Sequence, residues 1–299
     1  MSEGVGTVET RLITLNNSGD PFRFSDGGAI EKPVIAYEMY GELNADKSNA
    51  ILLFHALSGS QHAAGMNPSN PAAGDWWSDE IRWVRTLKNL VPGRLAWFDA
   101  FAQWEGKAVL DLGCAGGFMA ESMADRGAVV TGIDPAADAI KAAHVHAKAT
   151  GRNVRYDVGV GEKLPYGDTT FDIVVCVDVL EHVTDLTAVI TEIARVLKPG
   201  GIFLFDTINR NLLSRFVVIT VAEEILGLLP KGTHDPELFL KPIELRHELE
   251  RAGLSVGPTK GLGPRGINRC GDFLFGPIPT RAVIYMGVAY KPEDVACPK

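Results

Sequence analysis

Residues 109–118, VLDLGCAGGF, constrain the fold of this chain more than any other stretch. An apolar run ends on Asp111, a turn follows with Gly113, Gly116 and Gly117, and a helix-like pattern begins at Phe118. A second apolar run, 128–133, ends on Asp134. Strand, glycine turn, helix and a second strand tipped with a carboxylate form a nucleotide-binding half-site. Glycine lets backbone and ligand approach closely, which makes Gly113 a candidate cofactor contact. Asp134 lies near the spacing of about 20 residues at which such sites place a carboxylate on ribose hydroxyls.

The nucleotide is not of the dinucleotide type. That fingerprint requires G-x-G-x-x-G, and its third position here is Ala115. The turn reads D-x-G-C-x-G-G, and an acid beside a pyrophosphate would meet like charge. Asp111 suits a zwitterionic, sulfonium-bearing ligand such as S-adenosylmethionine. It either engages the ligand's ammonium or orients the turn through backbone amides.

From residue 107 onward the pattern alternates. Strands are expected at 109–112, 128–133, 154–158, 173–177 and 202–206, with helices at 118–126, 137–150 and 186–197. A helix precedes them over 79–103, another follows at 238–252, and 282–289 reads as a late strand. This is an α/β protein with a parallel-type sheet and helices on both faces, Rossmann-like in class. Residues 1–65 differ: 30–40 and 50–55 read as strands of a short β-rich appendage, and 66–79 is Pro-, Gly- and Asn-rich. The expected division is therefore 1–65 and 66–299.

The chain has 299 residues, a net charge of −8 and a pI near 5.4. An acidic chain without a basic face argues against a nucleic-acid partner. Cys114, Cys176, Cys270 and Cys297 are scattered and form no C-x-x-C pair, the pattern of reduced cytoplasmic thiols. No basic head precedes an apolar core at the start, so a secretory signal is not expected. No window reaches the roughly 18 apolar residues of a membrane span. The nearest, 212–229, is interrupted by Arg215, Glu223 and Glu224 and reads as an amphipathic helix, with Phe216, Val217, Ile219, Val221, Ile225 and Leu228 as its apolar side.

Four stretches carry a resemblance: VLDLGCAGGFMAESMADRGAVVTGID, FDIVVCVDVLEHV, VLKPGGIFLFDTINRN and AEEILGLLPKGTHD. Over about 76–290 the chain resembles the ubiquinone biosynthesis O-methyltransferase family. The first three stretches recur in many methyltransferases, and the last is much more particular. The resemblance implies a class I methyltransferase fold, S-adenosylmethionine as cofactor, and methylation of a ring hydroxyl on a lipid-tailed aromatic substrate. It also implies that Arg94, in LVPGRLAWF, reaches the cofactor's carboxylate and that Val177 lines the cofactor. Other small-molecule acceptors, or a non-catalytic cofactor-binding role, are the alternatives.

Residues 17–65 carry a separate likeness, through PFRFSDGG, VIAYEMYGELNADKSNA and LLFHALSGSQHAAG, to the start of homoserine O-acetyltransferases. It stops at Gly65, before any nucleophile, acid or base of that family. Gly253, Ser255 and Gly257 satisfy G-x-S-x-G, but they follow a helix and lead into a strand, the reverse of a nucleophile elbow.

Asp178, Glu181 and His182 leave the carboxyl end of a strand, where open α/β sheets place ligands. Two carboxylates three apart plus an imidazole can hold a divalent cation, Mg²⁺ or Zn²⁺, or else cap a helix and position substrate. The family pattern has a longer Glu where Asp178 stands. A catechol hydroxyl titrates near the Tyr value of about 10, and a bound metal would favour its phenolate. His182 is alternatively a general base, and His234, in PKGTHD, is a weaker candidate. Residues 212–229 are core, a cover for a greasy pocket, or a surface that lies on a membrane. A cytoplasmic location follows, peripheral at the inner face of the membrane in the last case.

Overall fold

The computed structural model describes residues 75–230 and 232–293, together with the backbone of four short strands between residues 11 and 37. Contacts divide the chain into two compact units, Met1–Ala72 and Ala73–Lys299. In the first unit, β1 (Arg11–Thr14) pairs antiparallel with β4 (Val34–Tyr37), and β2 (Phe22–Arg23) with β3 (Ala29–Ile30). The strand expected at 50–55 and most of the acetyltransferase-like stretch lie outside the described residues.

The second unit is built on an eight-stranded sheet. Its helices are α1 (Arg82–Phe98), α2 (Phe118–Ala124), α3 (Ala137–Thr150), α4 (Leu186–Val196), the short α5 (Leu212–Arg215) and α6 (Pro242–Arg251). Its strands are β5 (Ala108–Leu112), β6 (Val129–Asp134), β7 (Arg155–Val158), β8 (Phe171–Cys176), β9 (Leu197–Ile208), β10 (Ser255–Ile267), β11 (Phe273–Ile278) and β12 (Ile284–Tyr290). The strand order is β11-β10-β12-β9-β8-β5-β6-β7. Strands β7, β6, β5, β8 and β9 are mutually parallel, whereas β12, β10 and β11 add by antiparallel pairing.

Successive residues of β5 explain why both faces are covered. Val109 packs with Leu90, Met119 and Ala143 on the side of α1, α2 and α3. Leu110 packs with Ile190 and Leu245 on the side of α4 and α6. A strand buried on both faces must be apolar almost throughout, as VLDL is, and Asp111 is the exception.

The stretch expected as one amphipathic helix departs from that reading. Four α-helical residues, Leu212–Arg215, pass into a π-helix, Phe216–Ile225. The wider turn re-phases the side chains. Phe216 and Ile225, expected on one apolar face with Val217 and Leu228, are exposed, while Val218 and the charged Glu223 are buried. Ser255 opens β10 directly after α6, so G-x-S-x-G here is a helix-to-strand connection.

Candidate active site

The chain leaves β5 to build β6 and β7 on one side, then returns to lay β8 on the other. This switch point opens a crevice beyond the carboxyl ends of β5 and β8, the place where such sheets bind ligands. The loop after β5 is tightly held. Gly113 and Cys114 donate their N–H groups to the Ile133 carbonyl at 2.8 and 3.1 Å. Trp77 donates from Nε1 to the Gly116 carbonyl at 2.8 Å and stacks on His146 with ring centroids 3.4 Å apart.

Gly113 has φ +76°, and a Cβ there would come within 2.1 Å of Val179 Cγ2. Conformation and contact with the loop after β8 therefore require this glycine, whereas the sequence reading gave it to the cofactor. Asp134 stands at the end of β6. Its Oδ2 accepts from the Ala115 N–H at 2.9 Å and its Oδ1 from the Ala136 N–H at 2.8 Å. Each oxygen keeps a further acceptor position, so the ribose role remains open to it.

Asp111 is 1% exposed and neither carboxylate oxygen has a hydrogen-bond partner among the described residues. Burial pushes its pKa up to about 7, against a weaker downward pull from the Ala120 backbone, which is too poorly placed to count as a hydrogen-bond partner. An orphaned buried carboxylate is costly, and a cationic group such as the cofactor's ammonium would relieve it. The crevice thus fits S-adenosylmethionine by an observation independent of the motif.

Arg94 lies within α1 and is 2% exposed. Its Nε donates to Asp206 Oδ2 at 2.6 Å, and Nη2 pairs with Asp178. Asp206 Oδ1 also accepts from the Asp178 N–H at 2.8 Å. Asp178 adopts φ +53°, a left-handed conformation that this ring of contacts stabilises. Two consequences bear on the sequence reading. Arg94 is committed to two internal carboxylates, so a third from the cofactor would have to compete with them. Asp178 is turned to Arg94 and is not grouped with Glu181 and His182. Val177 is buried in the core on the α1 side.

The donors that do converge are Glu181, His182 and His234, with ligand atoms all within 4.8 Å of one another. Glu181 is 1% exposed, and its Oε2 accepts from Thr207 Oγ1 at 2.8 Å while Oε1 has no partner. Burial first, and the charges of Asp178 and Asp206 second, push its pKa up to about 8. His182 keeps an exposed face, while the protein packed around its other side, and then His234, lower its pKa. The rings of His182 and His234 stand 5.0 Å apart. Sequence reasoning ranked His234 low and passed over Asp206, Thr207 and Glu223. Asp206 carried a usable signal, since it closes the apolar run IFLFD much as Asp134 closes its own.

Fold and crevice together define a class I S-adenosylmethionine-dependent methyltransferase. Residues 110–205 match the family model described as a methyltransferase domain. The ubiquinone biosynthesis O-methyltransferase of Paracidovorax citrulli is 40% identical over 210 residues, covering 68% of this chain and 88% of that protein. That of Burkholderia thailandensis is 41% identical over 191 residues, 64% of this chain and 82% of that protein. The chain belongs to the ubiquinone biosynthesis O-methyltransferase family. Among solved structures, magnesium protoporphyrin IX methyltransferase from Synechocystis with bound SAH shares the fold, with a TM-score of 0.51 and 21% identity over 70% of this chain and 85% of that one.

Proposed function

We propose that this chain methylates a ring hydroxyl of a polyprenylated phenol or catechol in ubiquinone biosynthesis. The observation that carries this reading is the Glu181, His182 and His234 cluster, whose ligand atoms lie within 4.8 Å of one another. S-adenosylmethionine supplies an electrophilic methyl group. Asp111 would hold its ammonium and Asp134 its ribose. The ring hydroxyl must lose a proton as its oxygen takes the methyl carbon and the sulfur departs as a neutral thioether. His182 is exposed and its pKa is depressed, so it is neutral near pH 7 and suited to accept that proton. Holding both reactants in line does much of the remaining work.

A divalent cation is the alternative to His182 as base, because an imidazole bound to a metal has no lone pair left for a proton. The orphaned Glu181 Oε1 and two imidazoles fit one, and this donor set suits Zn²⁺ or a similar transition ion better than Mg²⁺. It would stabilise the phenolate. Leu212, Leu213, Phe216 and Ile225 are exposed, which supports peripheral contact of Leu212–Ile225 with the cytoplasmic face of a membrane and a lipid-tailed substrate. No helix among the described residues is long and apolar enough to cross a membrane.

The test is methyl transfer from S-adenosylmethionine to a short-tailed catechol analogue, against untailed phenols and amines, with and without chelator. Transfer that favours the tailed catechol is the expected result, and a fall on chelation selects the cation over His182 as base. Preference for an untailed acceptor overturns the substrate, and cofactor binding without turnover on any acceptor overturns the activity.

A further inference from the structure

Glu223 is an acidic residue near the end of a largely apolar π-helix, and it is buried. Its side chain is 2% exposed and that of His234 is 6% exposed. Glu223 Oε1 accepts from the backbone N–H of His234 at 3.1 Å and lies 2.7 Å from His234 Nδ1. Its Oε2 accepts from the Gly232 N–H at 2.8 Å. One carboxylate thus meets three nitrogens, two backbone N–H groups and the His234 ring nitrogen, after the helix. Thr233 closes the turn by donating its hydroxyl to the Pro230 carbonyl at 2.6 Å. The Phe239 ring, 1% exposed, meets His234 edge-on with centroids 6.2 Å apart.

A hydrogen bond from Nδ1 to a carboxylate fixes an imidazole in two respects. It sets the ring orientation, and it places the proton on Nδ1 so that Nε2 keeps its lone pair. Carboxylates beside metal-binding histidines do this widely, and their loss weakens the site without removing a ligand. The neighbouring Glu224 is exposed and makes none of these contacts.

We infer that Glu223 is a positioning residue for the site: it fixes the tautomer and orientation of His234, and it holds the chain at Gly232 just ahead of that histidine, so that His234 completes the donor set begun by Glu181 and His182. The metal-binding part of this inference rests on the cation reading above, while the tautomer part stands by itself. The π-helix acquires a function, because its register turns Glu223 inward to a loop whose histidine belongs to the site.

The experiment uses the full chain and its variants Glu223→Gln, His234→Ala, the double variant, and Glu224→Gln as control. Zinc affinity is measured by competition with a chelating dye, and the His234 ring tautomer by nitrogen-15 NMR without metal. The expected result is Nδ1–H in the wild type and a mixed or inverted tautomer in Glu223→Gln. Zinc affinity should fall about 10- to 100-fold in Glu223→Gln, with little further loss on adding it to His234→Ala. Glu224→Gln should match the wild type. An Nε2–H tautomer in the wild type, or zinc binding by Glu223→Gln as tight as the wild type, overturns the inference while leaving the cation reading intact. If the wild type binds no zinc, the cation reading falls, and the tautomer alone decides the role of Glu223. Should Glu223→Gln prove poorly folded, Glu223→Asp serves instead. Its shorter carboxylate keeps the charge, withdraws from Nδ1, and should give the same two shifts.

Discussion

The backbone N–H of Ala115 donates to Asp134 Oδ2 at 2.9 Å, and Ala115 is held at φ +46°. The carboxylate that tips β6 therefore stabilises a left-handed alanine in the turn after β5. A side chain at such a position costs roughly 1–2 kcal/mol, which glycine avoids. Ala115→Gly should raise the melting temperature by about 2–4 °C per kcal/mol recovered in a unit of this size, as calorimetry would show. Asp134→Ala should act oppositely, lowering stability and weakening S-adenosylmethionine binding by about tenfold or more through loss of charge-assisted hydrogen bonds. Unchanged cofactor affinity in Asp134→Ala would remove this residue from the cofactor site.

Arg94 joins Asp178 and Asp206 in a buried ring. Removing one member of such a group strands the others without compensation, at about 3–5 kcal/mol. Arg94→Met should thus be strongly destabilised in urea titration. Asp206→Asn should be hurt less, because Asp178 still pairs with Arg94. If Arg94→Met keeps its stability and loses only cofactor affinity, Arg94 is a cofactor ligand, as the family likeness implied, and the internal pairing is secondary.

Burial holds Asp111 up to about 7, whereas an unfolded carboxyl titrates near 4. Below about pH 4 both states carry the proton. As pH rises toward 7 the unfolded chain releases a proton that the folded protein keeps, so the stability contribution is lost across that window. Binding of a cationic ammonium runs the other way, since it selects the ionised form. Cofactor affinity should rise about tenfold between pH 6 and 8 in isothermal titration, in proportion to the ionised fraction. Asp111→Asn should flatten both dependences. A wild-type affinity that does not change with pH would show that Asp111 serves only the turn.

Leu213 and Phe216 are 52% and 55% exposed. If they enter a lipid surface, each contributes on the order of 1 kcal/mol, about half the value of a fully exposed side chain. The double replacement Leu213→Ser and Phe216→Ser should therefore lower co-sedimentation with phospholipid vesicles at least tenfold, while turnover of a short-tailed, water-soluble acceptor stays near the wild-type rate. Undiminished vesicle binding would exclude this stretch as the contact.

The half-site was legible because its signals are local. An apolar run, the turn glycines and a terminal acid are adjacent in sequence, so β5, α2, β6 and Asp134 fall where the pattern puts them. Helix α3 spans Ala137–Thr150, the range the periodicity gives. The β11 strand was missed because its sequence, FLFGPI, carries Gly and Pro that read as loop until an antiparallel partner supplies the pairing.

The sequence by itself determined the α/β alternation, the cofactor class and the crevice at the end of β8, all consequences of short-range spacing. Tertiary structure alone decided which donors meet. Asp178 is three residues from Glu181 yet pairs with Arg94, while His234 arrives from a distant loop that Glu223 holds in place. Helical spacing tells which residues share a turn. It does not tell which carboxylate a buried guanidinium will claim, because that depends on charges that only folding brings together.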